Sequence, residues 1–122
     1  MITPWMSDPK FVEYVALWNC RKFFEAHEAL EVLWLRVDGG EKDFLQGLIQ
    51  LAVALEHHAR GNLQGGAKVL TSARARFARV PAGDRAINAD ALADRVEDYF
   101  VGRTKEPPAF PEFPRTVRGS NA

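Results

Sequence analysis

The sequence has little of what marks secreted, membrane or nucleic-acid-binding proteins, and each shortage excludes something. It has one cysteine, Cys20, so no internal disulfide can form and a reducing cytoplasm is the expected compartment. Neither charge is in excess, since 16 Lys and Arg balance 16 Asp and Glu. Nucleic acid and anionic membranes normally draw a basic surplus, so neither is an expected partner. No basic segment followed by an apolar one opens the sequence, so no secretory signal is expected. The longest apolar segment, residues 44–55, is interrupted by Gln46 and Gln50 and is too short to span a bilayer. No run alternates apolar and polar residues as a half-buried strand would. What remains is an all-α cytoplasmic protein. The 122 residues, 47% of them hydrophobic, suit one domain with one core. Residues 1–122 read as a single helical domain, with helices within 9–101 and an extended tail over 102–122.

Five helices are expected. Ser7 or Asp8 before Pro9 is an N-cap with proline at the first helical position, and Phe11, Val12, Val15 and Trp18 make the first helix amphipathic. A turn at Asn19-Cys20-Arg21 leads to a second helix ending near residue 36, where Asp38-Gly39-Gly40 breaks it. The third helix runs over about 42–60 and stops at Gly61. The fourth spans about 63–79, with Leu63, Ala67, Leu70, Ala73 and Phe77 inward, and Val80-Pro81-Ala82-Gly83 closes it. The fifth starts at the N-cap Asn88 and buries Leu92 and Val96, with Tyr99 or Phe100 beside them. Pro107, Pro108, Pro111 and Pro114 then forbid a helix. The tail can be a recognition segment, but the more common form, expected here, is an extended strap whose Phe110 and Phe113 cover a groove, on this chain or on a neighbouring copy. Residues 21–30 align with 61–70 at an offset of 40, each copy opening the second helix of a hairpin. Two copies are too few for a solenoid, so the expected form is a compact bundle of two helical hairpins plus a C-terminal helix.

The second helix carries the feature that calls for an explanation. Phe23, Ala26, Leu30, Leu33, Trp34 and Val37 share one face, His27 falls at its edge, and Glu31 follows one turn later. A carboxylate and an imidazole on the core side need partners. The third helix is apolar nearly all round, hence central, and its polar strip is Gln46, Gln50 and His57, while His58 lies beside Gly47, Leu51 and Ala54. The candidate site is therefore His27, Glu31, Gln50 and His57, with Gln46 and Glu28 as secondary members. Three readings fit it. A hydrogen-bonded network can simply fix the helix register. A pocket can hold a divalent metal through His27, Glu31 and His57, or a small ligand. Glu31 can act as a general base with His27 as its proton partner. The His27-Glu28 pair is not followed by the second histidine of zinc proteases, and no Glu-x-x-His pair of a di-iron bundle is present. Nor is Gly61-Asn62-Leu63-Gln64-Gly65-Gly66 a phosphate loop, because no strand precedes it. Lys68, Arg74, Arg76 and Arg79 make the fourth helix basic, and Asp90, Asp94, Glu97 and Asp98 of the fifth can compensate it. An interaction module of the tetratricopeptide kind is the alternative, with a protein partner or a second copy in its groove.

Two segments also resemble a family catalogued as domain of unknown function 309. They are Phe23-Phe24-Glu25-Ala26-His27-Glu28-Ala29-Leu30-Glu31 with Trp34, and Leu45-Gln46-Gly47-Leu48-Ile49-Gln50-Leu51-Ala52 with His57 and Gly61-Asn62. Together they cover residues 18–70. The resemblance implies a small helical bundle with a recurring set of polar residues, and no activity. The family's first turn usually carries a glycine where this chain has Arg21, so Asn19, which tolerates left-handed geometry, is expected to close that turn.

Overall fold

The computed structural model describes residues 4–81 and 87–113. A 3-10 turn at Pro4–Ser7 leads into α1 (Pro9–Asn19), α2 (Phe23–Trp34), α3 (Gly39–Ala59), α4 (Leu63–Ala78) and α5 (Ala89–Phe100), after which residues 107–113 have no regular secondary structure. The described residues include no strand, and the fold is an all-α bundle. None of their helices is long and apolar enough to cross a membrane. Ala82, Gly83, Pro114 and the rest of the tail to residue 122 lie outside the described residues.

Local chemistry sets the helix ends. Asp8, not Ser7, caps α1: its carboxylate accepts the Lys10 N–H at 2.8 Å, ahead of Pro9 at the first helical position. The same carboxylate pairs with Arg36 at 3.2 Å. Helix α2 stops at Trp34, slightly early. Lys42 Nζ donates to the Trp34 carbonyl at 2.9 Å and to that of Val37 at 3.4 Å, and lies 3.9 Å from the centre of the Trp34 ring. An ammonium on the last carbonyls of a helix satisfies acceptors that have no partner within it. Helix α3 begins at Gly39, three residues before the expected start. Gly39 takes φ +65°, and the glycine pair opens α3 and does not end α2, which has already stopped at Trp34.

Helix α3 is the axis of the bundle, packed between α2 and α4. Leu45, Leu48, Leu51, Ala52, Ala54 and Leu55 are all at most 1% exposed. Tyr14 of α1 reaches it by donating its hydroxyl to the Leu48 carbonyl at 2.7 Å, and burial pushes the phenol pKa well above its ordinary value. On the α4 side, close approach depends on glycine. A Cβ at Gly47 would lie 2.4 Å from the Phe77 ring, and one at Gly66 would lie 3.0 Å from the Ala54 carbonyl oxygen. The buried face of α4 is Gly66, Leu70, Ala73 and Phe77, spaced at intervals of three and four. Leu63 and Ala67, expected inward, are exposed: Ala67 falls outside that arc, while Leu63, within about 20° of Leu70 around the helix, lies in the first turn of α4. Trp5 and Met6, which no helical periodicity singled out, are buried, with Trp5 edge-on to Phe11 at 4.9 Å.

The 40-residue repeat is visible in the backbone. Cys20, Arg21 and Lys22 take φ −90°, +62° and −96°, and Arg60, Gly61 and Asn62 take −89°, +82° and −89°. The Lys22 N–H donates to the Leu17 carbonyl at 2.8 Å, and Asn62 repeats that bond to His57 at 2.8 Å. Arg21, not Asn19, is thus the left-handed residue of the first turn. Asn19 is the last residue of α1, and its side chain serves the tail instead.

That tail is a strap on this chain's own α1. The Trp18 Nε1–H donates to the Pro108 carbonyl at 2.8 Å, and Asn19 Oδ1 accepts the Phe110 N–H at 2.9 Å. Phe110 is only 6% exposed, its ring among those of Phe11, Tyr14 and Trp18. The basic residues of α4 divide their partners. Arg74 bonds Asp94 and Glu97 of α5 at 2.9 and 2.8 Å, while Arg76 and Arg79 lie 3.0 and 3.5 Å from Asp43 of α3.

Candidate functional site

Helix α2 presents its polar residues differently from the expectation. His27 is half-buried, whereas Glu28 and Glu31 are exposed, and the described residues include no fully buried carboxylate, imidazole or amide side chain. The buried arc is Phe23, Ala26, Ala29, Leu30 and Leu33, centred on Ala26. Glu31, five residues on, then points about 140° away at 100° per residue, and His27 about 100° away. Glu31 therefore needs no buried partner.

The polar strip of α3 is also divided. Gln46 lines a recess of about 450 Å³ with Trp34, Gly39, Lys42, Asp43 and Arg76. His57 lines a second recess of about 410 Å³ with Phe24, His27, Val53, Glu56 and Arg60. Gln50 lines neither of these two, and its Oε1 is buried without a hydrogen-bond partner. Of the expected site, one groove between α2 and α3 thus unites His27 and His57, and leaves out Glu28, Glu31, Gln46 and Gln50. His58 is engaged elsewhere, its ring 4.9 Å from Phe100 and nearly parallel to it, and 4.7 Å from Tyr99. Among the described residues no three His, Cys, Asp or Glu side chains are grouped to hold a metal ion. The metal set His27, Glu31 and His57 is not assembled, because Glu31 turns outward.

Hydrogen bonds assign the two histidine tautomers. His27 Nδ1 meets the Phe24 carbonyl of the preceding turn. A carbonyl only accepts, so Nδ1 carries the proton and the neutral ring keeps a lone pair at Nε2. His57 Nδ1 lies 3.1 Å from Asn62 Nδ2. The Asn62 amide is oriented by its other end, where Oδ1 caps α4 by accepting the Gly65 N–H at 3.0 Å. Its NH₂ therefore donates to His57, and the neutral His57 ring carries its proton at Nε2. The groove combines one imidazole acceptor with one imidazole donor.

The remaining lining was not anticipated as a site. Phe24 stands edge-on to His27 at 4.9 Å and is 44% exposed. Glu56 forms an ion pair with Arg60, one turn on. The spacing of that pair, next to His57, was a usable signal, since residues four apart meet on a helix. Phe24 and Val53 carried no such signal, because apolar residues on these helices look alike until packing decides which remain open.

Two stacked helical hairpins, a fifth helix and an open groove across α2 and α3 define a small all-helical domain. The chain belongs to the family described as Domain of unknown function (DUF309), whose model matches residues 11–69 and so covers both hairpin turns and the whole groove. It is similar to an uncharacterized protein of Aquifex aeolicus, 35% identical over 102 residues, a match covering 83% of this chain and 30% of that protein. It is also similar to the uncharacterized protein YpuF of Bacillus subtilis, 35% identical over 69 residues, covering 55% of this chain and 40% of that protein. The chain thus spans less than half the length of these curated relatives. The crystal structure of a conserved hypothetical protein from Thermus thermophilus has a similar fold, with 30% identity and a TM-score of 0.65 over 83% of this chain and 99% of that one.

Proposed function

We propose that this chain is a single cytoplasmic helical domain that binds a small organic ligand in the α2–α3 groove, with His27 and His57 holding its polar end. The observation that carries this reading is the complementary pair of tautomers, each secured by a local bond at Nδ1. A ligand group with an adjacent donor and acceptor, such as a primary amide or a protonated carboxyl, satisfies both Nε2 atoms. Phe24 and Val53 would receive an apolar body, and the Glu56–Arg60 pair lies at the rim. A volume of about 410 Å³ falls within the range of small-molecule sites, roughly 300–1,000 Å³. The lone cysteine supports the compartment. No metal enters this reading, and neither Glu31 nor Glu28 has a part in it.

A thermal-shift screen of small amides and carboxylic acids, followed by titration of the hits, tests it. Hits should bind the native chain and be lost in both His27→Ala and His57→Ala. If no compound raises the melting temperature, or if hits survive the double variant, the groove is not a ligand site.

A second reading, an interaction module, has its own support. The chain spans only 30% and 40% of two relatives, as a module within longer proteins would, and Val32 on α2 and Leu35, which follows it, are 43% and 71% exposed. Partner capture that survives both histidine variants but is abolished by Leu35→Glu would favour it over the ligand site.

A further inference from the structure

We propose that the face of α1 under the strap is a receptor for extended proline–aromatic peptides, with residues 107–113 as its ligand in cis. The contacts read features that any such peptide carries. Trp18 donates its indole N–H to the carbonyl of a proline, Pro108, at 2.8 Å. Two residues on, Asn19 Oδ1 accepts the backbone N–H of Phe110 at 2.9 Å. The Phe110 ring enters an aromatic socket, 5.4 to 6.0 Å from the ring centres of Phe11, Tyr14 and Trp18. Arg21 pairs with Glu106, so an acidic residue ahead of the two prolines is read as well. The recognised pattern is acid–Pro–Pro–x–Phe. An indole donor on a proline carbonyl with an aromatic socket beside it suits a peptide held extended by proline, which loses little conformational entropy on binding.

The strap is attached in a way that lets it behave as a ligand. Residues 101–106, which connect it to α5, are all exposed. The chain turns there at Gly102, φ +83°, with the Arg103 N–H on the Asp98 carbonyl at 2.8 Å. A recess of about 240 Å³ remains open between Trp18, Asn19 and Arg21 on one side and Pro107, Pro108 and Ala109 on the other. Tethering by so short a connection gives the strap an effective concentration on the order of millimolar, which keeps the receptor closed to weaker peptides. This face is separate from the α2–α3 groove, and the two proposals stand or fall independently.

The test uses the full chain and a synthetic peptide with the sequence of residues 106–113, Glu-Pro-Pro-Ala-Phe-Pro-Glu-Phe. Glu106→Arg sets two like charges face to face and weakens the strap, while the added peptide keeps its own glutamate for Arg21. Phe110→Ala empties the socket. The peptide should bind Glu106→Arg at least about tenfold more tightly than the native chain, since the competing tether is weakened. It should shift the Trp18 indole N–H resonance and raise the melting temperature of Phe110→Ala, and a peptide with alanine in place of its first phenylalanine should do neither. If Phe110→Ala does not fold, Glu106→Arg decides the matter alone. Absence of peptide binding by the folded variants overturns the proposal. So does a concentration-dependent dimer of Glu106→Arg that takes up no peptide, which would make the face a site of strap exchange between copies.

Discussion

The hairpins α1–α2 and α3–α4 share one turn and are held together by opposite means. In the second hairpin each residue suits its position. Gly61 takes the left-handed conformation at no steric cost, Asn62 caps α4, and Gly47 and Gly66 let α3 and α4 approach closely. In the first hairpin Arg21 takes the left-handed conformation, and the Lys22 side chain makes no capping hydrogen bond to α2. Besides Trp18 edge-on to Phe23 across the hairpin, it is tied to distant segments, through Tyr14 on Leu48, Trp5 on Phe11, and the strap with Phe110. One backbone geometry can thus rest on local conformational preference or on aromatic burial supplied by distant segments.

Substitutions in each hairpin should separate these two modes. Phe110→Ala should cost the most, about 3 kcal/mol, because a buried ring leaves a cavity among three others, and urea melts followed by circular dichroism would measure it. Gly47→Ala comes next, at about 2 kcal/mol, because the added methyl meets the Phe77 ring. The loss should be recovered in part by Phe77→Leu if that contact is the cause, which a double-mutant cycle would reveal. Exchanging the turn residues should move stability in opposite directions by about 1 kcal/mol each, the order of the left-handed penalty. Arg21→Gly should raise the melting temperature and Gly61→Ala lower it. Equal destabilisation by both would mean that the Arg21–Glu106 pair outweighs the backbone strain. Asn62→Ala should cost about 1 kcal/mol as a lost cap, and should also release His57 Nδ1, changing its tautomer populations in ¹⁵N NMR spectra.

The contribution of Tyr14 depends on pH. Burial holds the folded-state pKa of this phenol well above its ordinary value near 10. Below about pH 10 the phenol is protonated in both states, and its contribution is fully present. Above that, the unfolded chain releases the proton while the folded chain retains it, so stability falls as pH rises. Tyr14→Phe should flatten that alkaline decline in pH-dependent melts, at a cost of about 1 kcal/mol at pH 7 for the lost hydrogen bond.

The fold was legible where a signal is local and repeated. Pro9, the Asp38-Gly39-Gly40 break, Gly61 and Asn88 each mark a helix end by backbone chemistry that needs no distant partner. The 40-residue offset located both hairpins for the same reason. The site was legible only in part. His27 and His57 lie on one groove, yet Glu31 was assigned to the core side although it stands about 110° around the helix from the centre of the stripe formed by Phe23, Ala26, Leu30, Leu33, Trp34 and Val37. Leu63 misled in the opposite sense: it lies on the side of α4 that carries the buried Leu70, yet in the first turn of the helix it is exposed.

The sequence by itself determined five helices, their order, the repeated turn and the absence of helix over the proline-rich residues 107–113, because proline, glycine, capping residues and helical period act over a few bonds. Tertiary structure decided the rest. It rotated α2 so that Glu31 faces outward, divided Gln46 from His57, sent His58 to α5 and laid the strap on α1. Each of these depends on which of several apolar faces meet, and that choice is made by the packing of the whole core.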